Sequence, residues 1–225
     1  MTRYYVICEG QSEETFIRDV LAPILADQKI YLTPLLVPTS RNSKGGAFDY
    51  ARVKPFIIKS LKKEKNAFVT TLFDLYALDK HFPNFEQSQK CNNVYEKVEC
   101  LEKALYEDIA KENSNLARYF IPYIQPYEFE ALLFSDVEKL VTVEPNWTQF
   151  SKQLKTIRDE FETPEHINNS YETKPSARLD KLLNNPNYRK TYHGASAIKA
   201  IGIHTLLAEC HHFADWYKKL CQLNN

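Results

Sequence analysis

The sequence predicts an α/β protein: a mostly parallel sheet flanked by helices over residues 1–145, followed by a helical C-terminal subdomain over 146–225, packed on it. Three observations predict this. Short β-rich apolar runs alternate with helical stretches in the order β-α-β-α-β-loop-α-β, which implies a largely parallel sheet covered on both faces. The strand pattern then stops, and everything from about residue 146 reads as helix or loop. Finally, 225 residues at 44% hydrophobic content suffice for one large domain, or a domain with a subdomain.

Arg3 to Cys8 is an apolar strand ending in Glu9-Gly10. Ser12 reads as the N-cap of a helix with Glu13 and Glu14 in its first turn. Phe16, Ile17, Val20, Leu21, Ile24 and Leu25 recur at helical spacing, and Pro23 is expected to bend or shorten the helix. Ile30 to Val37 is a second strand. Residues 39–49, polar and glycine-bearing, read as a loop, and a helix follows from Tyr50 to Lys65 on Val53, Phe56, Ile57 and Leu61. Ala67 to Phe73 is a third strand that delivers Asp74. Residues 75–92 read as a long loop, 93–113 as a charged helix, and Tyr119 to Gln125 as a fourth strand. A helix starts at Glu128; further helices are expected at Gln149–Phe161, Ser176–Leu183, Gly194–Ala200 and Thr205–Leu220.

Lysine plus arginine and aspartate plus glutamate number 29 each, so the net charge is near zero. That excludes a purely electrostatic nucleic-acid binder but not a local basic groove. No apolar run approaches the roughly 20 residues of a membrane helix, and the chain enters its first strand without a signal peptide. The five cysteines are scattered, odd in number and without a CxxC pair, so reduced cytoplasmic thiols are expected. Cys210-His211-His212 has no second ligand pair for zinc. The 14 tyrosines among 13% aromatic residues suit either a core or a binding surface.

Ligand sites in parallel sheets lie at the carboxyl ends of strands, where Glu9, Asp74 and the Gln125–Glu128 corner are predicted to fall. Glu9 and Glu13 sit four apart across a strand-to-helix turn. Gly10 allows a sharp turn and close approach of a phosphate, and a helix N-terminus favours an anion. With Asp74 these carboxylates make an oxygen-rich set suited to magnesium or manganese. The plain alternatives are a helix-dipole role for Glu13 and Glu14 and a turn-forming role for Asp74. Asp79 is either a further acid or a loop residue. Of Glu128 and Glu130, which point to different faces of a helix, Glu128 is expected to face the site. Lys174, Arg178, Arg189, Lys190 and His193 form a basic-polar cluster beside two helix starts, Pro175-Ser176 and His193-Gly194. As phosphate grips, or as groups that stabilise charge in phosphodiester cleavage, Lys174, Ser176, Arg178 and Arg189 would bind and Lys190 and His193 would act in catalysis; otherwise they are a solvated face. Ser43-Lys44-Gly45-Gly46 lacks the GxxxxGK[ST] spacing of a nucleotide-binding loop.

Glu9-Gly10-Gln11-Ser12-Glu13 after a strand, with an aspartate ending the third strand, resembles the TOPRIM fold of primases, topoisomerases and overcoming-lysogenization-defect nucleases. More closely, the chain is similar to a bacterial TOPRIM-like family of unknown function, often encoded beside AAA-type ATPases and linked to phage defence. The similarity is carried by CEGQSEETFI (8–17), KGGAFDYARV (44–53), FDLYALDKHFP (73–83), PYIQPYEFEALLFSD (122–136), KPSARL (174–179) and YRKTYHG (188–194). The resemblance implies a TOPRIM-like α/β domain, Mg2+ or Mn2+ held by Glu9, Glu13, Asp74 and Glu128, and a nuclease acting on DNA or tRNA-like RNA. It also implies an AAA-type ATPase partner, no membrane, and compatibility with a homodimer. One departure stands out: TOPRIM proteins usually carry Asp-x-Asp at the third strand, where Tyr76 here fills the second slot. A ligand would then come from Glu128 or Glu130, or the site would hold one metal. The alternatives are an interaction subunit of an ATPase complex without catalysis of its own, and phosphoryl transfer on a small molecule.

Overall fold

The computed structural model describes residues 1–38, 49–168 and 170–222. The loop carrying Ser43-Lys44-Gly45-Gly46 lies outside the described residues. The chain forms two compact units, Met1–Ile124 with the C-terminal residues from Lys219, and Gln125–Lys218. The sequence-based division at 145/146 falls inside the second. No described helix is long and apolar enough to cross a membrane.

The first unit is built on a five-stranded, mostly parallel sheet, so the α/β expectation holds. Strands β1 (Thr2–Cys8), β2 (Ile30–Leu36), β3 (Phe68–Asp74) and β4 (Phe120–Ile121) lie in the order β2-β1-β3-β4, and β5 (Ile124–Gln125), where the chain leaves this unit, pairs β3. Central β1 and β3 are nearly continuous apolar runs with Val6, Ile7, Val69, Leu72 and Phe73 fully buried, as strands covered on both faces require. Pro34, which has no N–H for the ladder, is tolerated because β2 is an edge strand. The predicted single strand Tyr119–Gln125 is broken between β4 and β5. Thr71 Oγ1 donates to Tyr123 O and accepts from Tyr123 N–H, both at 2.8 Å, so a side chain replaces part of the backbone ladder.

The helix after β1 begins two residues earlier than expected, with Gly10 and not Ser12 at the cap position. α1 (Gln11–Phe16) runs through a π-helical stretch, Ile17–Leu21, into α2 (Ala22–Ala26). The widened turn directly precedes Pro23, which lacks an N–H to donate and crowds the preceding turn. α3 (Tyr50–Leu61) is capped by Asp49, whose carboxylate accepts from Ala51 N–H. The expected loop 75–92 contains a 3₁₀ turn, Leu75–Ala77, and α4 (Phe85–Ser88). α5 (Val94–Glu112) and α6 (Ser114–Ala117) complete the crossover to β4.

In the second unit the EFEALLF block is a 3₁₀ helix, Phe129–Ser135, every residue of which is buried. It packs in a core with Trp147, Leu154, Leu179, Ile198, Phe213 and Trp216, so this block is mainly architecture. α7 (Val137–Leu140), α8 (Ser151–Asp159), α9 (Pro175–Leu182) and α10 (Lys190–Ile201) follow. α10 begins four residues before the predicted start at Gly194. The expected helix 205–220 is two, α11 (Ile203–Glu209) and α12 (His211–Gln222), separated at Cys210.

Candidate functional site

In the first unit the register Cys8↔Leu72 aligns the carboxyl ends of β1 and β3. Glu9 follows Cys8 directly, and Asp74 is the last residue of β3. Two acids therefore stand at the same edge of neighbouring parallel strands, where the topology leaves room for a ligand. Asp74 is 6% exposed and Glu13 3%, whereas Glu9 is half-buried. The Asp74 side chain makes no cap hydrogen bond to the 3₁₀ turn that follows it. Tyr76, in the position of the expected second aspartate, is exposed.

Glu13 has a defined structural contact: its Oε2 accepts the Gly10 N–H at 3.1 Å, closing the strand-to-helix turn. Gly10 itself is extended, at φ −142°, so its backbone needs no special freedom. A Cβ there would come within 3.1 Å of that same Glu13 oxygen, so the glycine makes room for the carboxylate. Burial pushes the Cys8 thiol well above its ordinary value, and the charges of Glu13 and Glu14 add to this. The sulfur is held as a neutral thiol, and the polar groups at this edge are oxygens. Asp79 has a structural role: it accepts the Tyr50 N–H at 3.0 Å and the His81 N–H at 2.6 Å.

Of the carboxylates expected to hold a metal, Glu9, Glu13 and Asp74 lie in the first unit and Glu128 in the second. Among the described residues, no group of three or more His, Cys, Asp or Glu is arranged to hold a metal ion. Glu128, in the second unit, is engaged otherwise. Its Oε1 lies 2.7 Å from Lys174 Nζ, and its Oε2 accepts the Ser176 N–H at 3.0 Å. The anion received by the N-terminus of α9 is thus the protein's own Glu128 carboxylate. Tyr127, just before it, adopts a left-handed φ of 58°, a costly conformation for a bulky residue that redirects the chain into Glu128.

The remaining members of the expected basic cluster also have internal partners. Arg178 Nε donates to Thr173 O at 2.5 Å, with its guanidinium 5.4 Å from the Phe161 ring centre. Lys190 Nζ is 3.2 Å from Oε2 of fully buried Glu130, whose Oε1 faces the Tyr188 hydroxyl at 3.5 Å. Burial, then the Glu130 charge, pushes the Tyr188 hydroxyl far up, so it stays a donor. Arg189 is exposed, stacked over Tyr192 at 4.9 Å.

His193, expected as an acid–base catalyst at a helix start, lies inside α10 with no exposed surface. Its Nδ1 accepts the Arg189 N–H at 2.8 Å, which leaves the ring proton on Nε2, directed at Glu144 Oε1 at 3.2 Å. Trp147 packs edge-on at 4.6 Å. Burial lowers its pKa, opposed by Glu144. A neutral, enclosed imidazole with both nitrogens engaged holds α10 together; it is not presented to a substrate.

Three acids, two of them buried, carry weight that local sequence did not signal. Glu165 accepts from His212 N–H and Phe213 N–H at 2.9 and 3.0 Å, capping α12 from 47 residues away. Glu102 accepts the Ile124 N–H at 2.8 Å, and Glu144 holds His193. Each partner is distant in sequence, and only an unusual acid in an apolar helix face, as at Glu102, hints at one.

No curated protein and no solved structure matches the chain. One family model does, over residues 8–221, which spans both units and all the blocks above from Cys8 onward; the chain belongs to the family described as a domain of unknown function, DUF4276.

Proposed function

We propose that this chain is a divalent-cation-dependent nuclease that hydrolyses phosphodiester bonds at the carboxyl edge of its sheet. The observation that carries the proposal is the pair Glu9 and Asp74 at the aligned ends of parallel β1 and β3. The donor chemistry fits Mg2+ or Mn2+: carboxylate oxygens are hard ligands, and the neighbouring Cys8 is a neutral thiol. Magnesium needs no protein cage, since one or two carboxylates suffice, with water and substrate phosphate completing its shell. When bound it would supply an activated water and charge neutralisation at the phosphoryl oxygens. Glu9 and Asp74 are the residues that would hold it. Glu13 is a positioning residue, because its contact with Gly10 fixes the turn that carries Glu9. The setting we propose is the cytoplasm, in anti-phage defence.

A second reading, a subunit that works with an AAA-type ATPase, is favoured by one observation. Lys174, expected to grip phosphate, and Lys190, expected to act in catalysis, are held by Glu128 and Glu130, so tight binding of nucleic acid would depend on a partner's surface.

The test is incubation of the purified chain with DNA and with structured RNA, in Mg2+, Mn2+ or chelator, alone and with an ATPase that co-purifies. Cleavage is expected with metal and is lost in Glu9→Ala and Asp74→Ala, both of which retain the wild-type circular dichroism. Cleavage by both variants at the wild-type rate, or none by any preparation, refutes the proposal.

A further inference from the structure

At the amino ends of β1 and β2, in the first unit, the sheet turns one face to an open cleft. Burial alternates along both strands. Tyr4, Val6, Ile30 and Leu32 are buried, whereas Arg3, Tyr31 and Thr33 are exposed and Tyr5 is half-buried. The parallel register sets Arg3 beside Tyr31 and Tyr5 beside Thr33, so these four side chains share the outer face. With Glu64 they line a cavity of 440 Å³. Polar contacts fix its wall. The Tyr5 hydroxyl donates to Glu64 Oε2 at 2.9 Å, and Arg3 Nη1 donates to Glu64 Oε1 at 2.6 Å. Lys63 Nζ stands 4.5 Å from the centre of the Tyr5 ring. Arg3 engages Glu64 through a single nitrogen on a side chain 52% exposed, which leaves further N–H groups of its guanidinium for a ligand. Tyr31, 43% exposed on the edge strand, presents its ring to the same space.

We propose that this cleft binds an unpaired nucleotide of a single-stranded nucleic acid, its base on the Tyr31 ring and its phosphate held by Arg3 and Lys63. Three properties select that ligand. An exposed aromatic ring stacks with any base whose face is free, and a duplex, with its bases stacked inside, offers none. Arg3 and Lys63 are two cations against the one Glu64 carboxylate, so the local charge is positive although the chain as a whole is neutral. The cavity falls in the low part of the about 300–1,000 Å³ range of ligand sites, a scale that suits one nucleotide at a time. The inference rests on the nuclease reading for its choice of polymer and deepens it by naming the substrate as single-stranded. β1 carries Arg3 near its start and Glu9 just past its end, so cleft and acids stand about 20 Å apart along the same strand. A strand held at the cleft is therefore cut away from the nucleotide that is held.

The test follows the fluorescence anisotropy of a labelled single-stranded DNA of about 12 nucleotides, within the site sizes of about 4–16 usual for such binders. The full chain is used in chelator, so that no cleavage intervenes. The single strand is expected to bind more tightly than the same sequence as a duplex, and adenosine monophosphate to compete only weakly. Tyr31→Ala weakens binding about tenfold, and Tyr31→Phe, which keeps the ring, leaves it unchanged. Lys63→Gln lowers the slope of log affinity against log salt by about 0.7, the share of one phosphate. Circular dichroism checks that each variant is folded. Equal binding by the wild type and Tyr31→Ala overturns the proposal. So does equal affinity for duplex and single strand, equal affinity for the mononucleotide and the strand, or no binding. The expected binding pattern without cleavage in metal refutes the nuclease reading alone. Metal-dependent cleavage lost in Glu9→Ala, with Tyr31→Ala binding like the wild type, overturns the cleft alone.

Discussion

Replacing Glu128 by alanine is expected to destabilise the second unit by about 3 kcal/mol. Glu128 is 7% exposed and accepts two hydrogen bonds, from Lys174 Nζ at 2.7 Å and Ser176 N–H at 3.0 Å. Hydrogen bonds to a charged group contribute about 1.5–3 kcal/mol each. The lower part of that range applies, because the Lys174 side chain keeps 19% of its surface exposed and can turn to water once its partner is gone. Glu128→Gln preserves an acceptor for Ser176 and loses only the charge, so about half the loss remains. Lys174→Ala, by the same reasoning, costs about 1–2 kcal/mol, and the double variant shows a coupling of about 1–2 kcal/mol. The assay is urea unfolding followed by tryptophan fluorescence. Both tryptophans of the chain, Trp147 and Trp216, are buried in this unit, so the signal reports it without averaging over the other. Losses that simply add, to within about 0.5 kcal/mol, refute the reasoning. They would return Lys174 to the role of a cation available to phosphate.

Further outcomes follow from other buried groups. Glu165→Ala strands two backbone N–H groups at the start of α12 and is expected to cost about 3 kcal/mol by the same fluorescence assay. Gly194→Val is expected to cost about 2 kcal/mol or more, since even a Cβ there would stand 3.2 Å from Phe129 Cε1; an unchanged midpoint would show that the two elements yield easily. His193 has a depressed folded pKa, so below about pH 6.5 the unfolded chain binds the extra proton. Its stabilising contribution is complete above that pH and is lost as pH falls through the folded pKa. His193→Gln should therefore flatten, though not abolish, the fall in urea midpoint on the acid side, because His166 is depressed by burial as well.

The first unit was largely legible in the sequence because its signals are local. A parallel strand buried on both faces is a run of apolar residues, and β1 and β3 announce themselves in Val6-Ile7-Cys8 and Val69 to Phe73. The positions of Glu9 and Asp74 follow directly, since the residue ending such a run must stand at the sheet's carboxyl edge. Helix boundaries in the second unit were less legible. α10 starts at Lys190 because the Arg189 N–H finds the His193 ring, a contact four residues apart that no propensity reveals.

The sequence by itself determined the strand order along the chain and which acids end which strands, because periodicity is a property of neighbouring residues. Only the tertiary structure decided what the polar residues of the second unit do. Lys174 reads as a phosphate grip and Lys190 as a catalytic cation until Glu128 and Glu130, 46 and 60 residues earlier, are brought against them. His193 reads as a catalyst until Trp147 and Glu144 enclose it. A buried charge must find its counter-charge wherever the fold places one, and that pairing is written in the packing and not in the spacing.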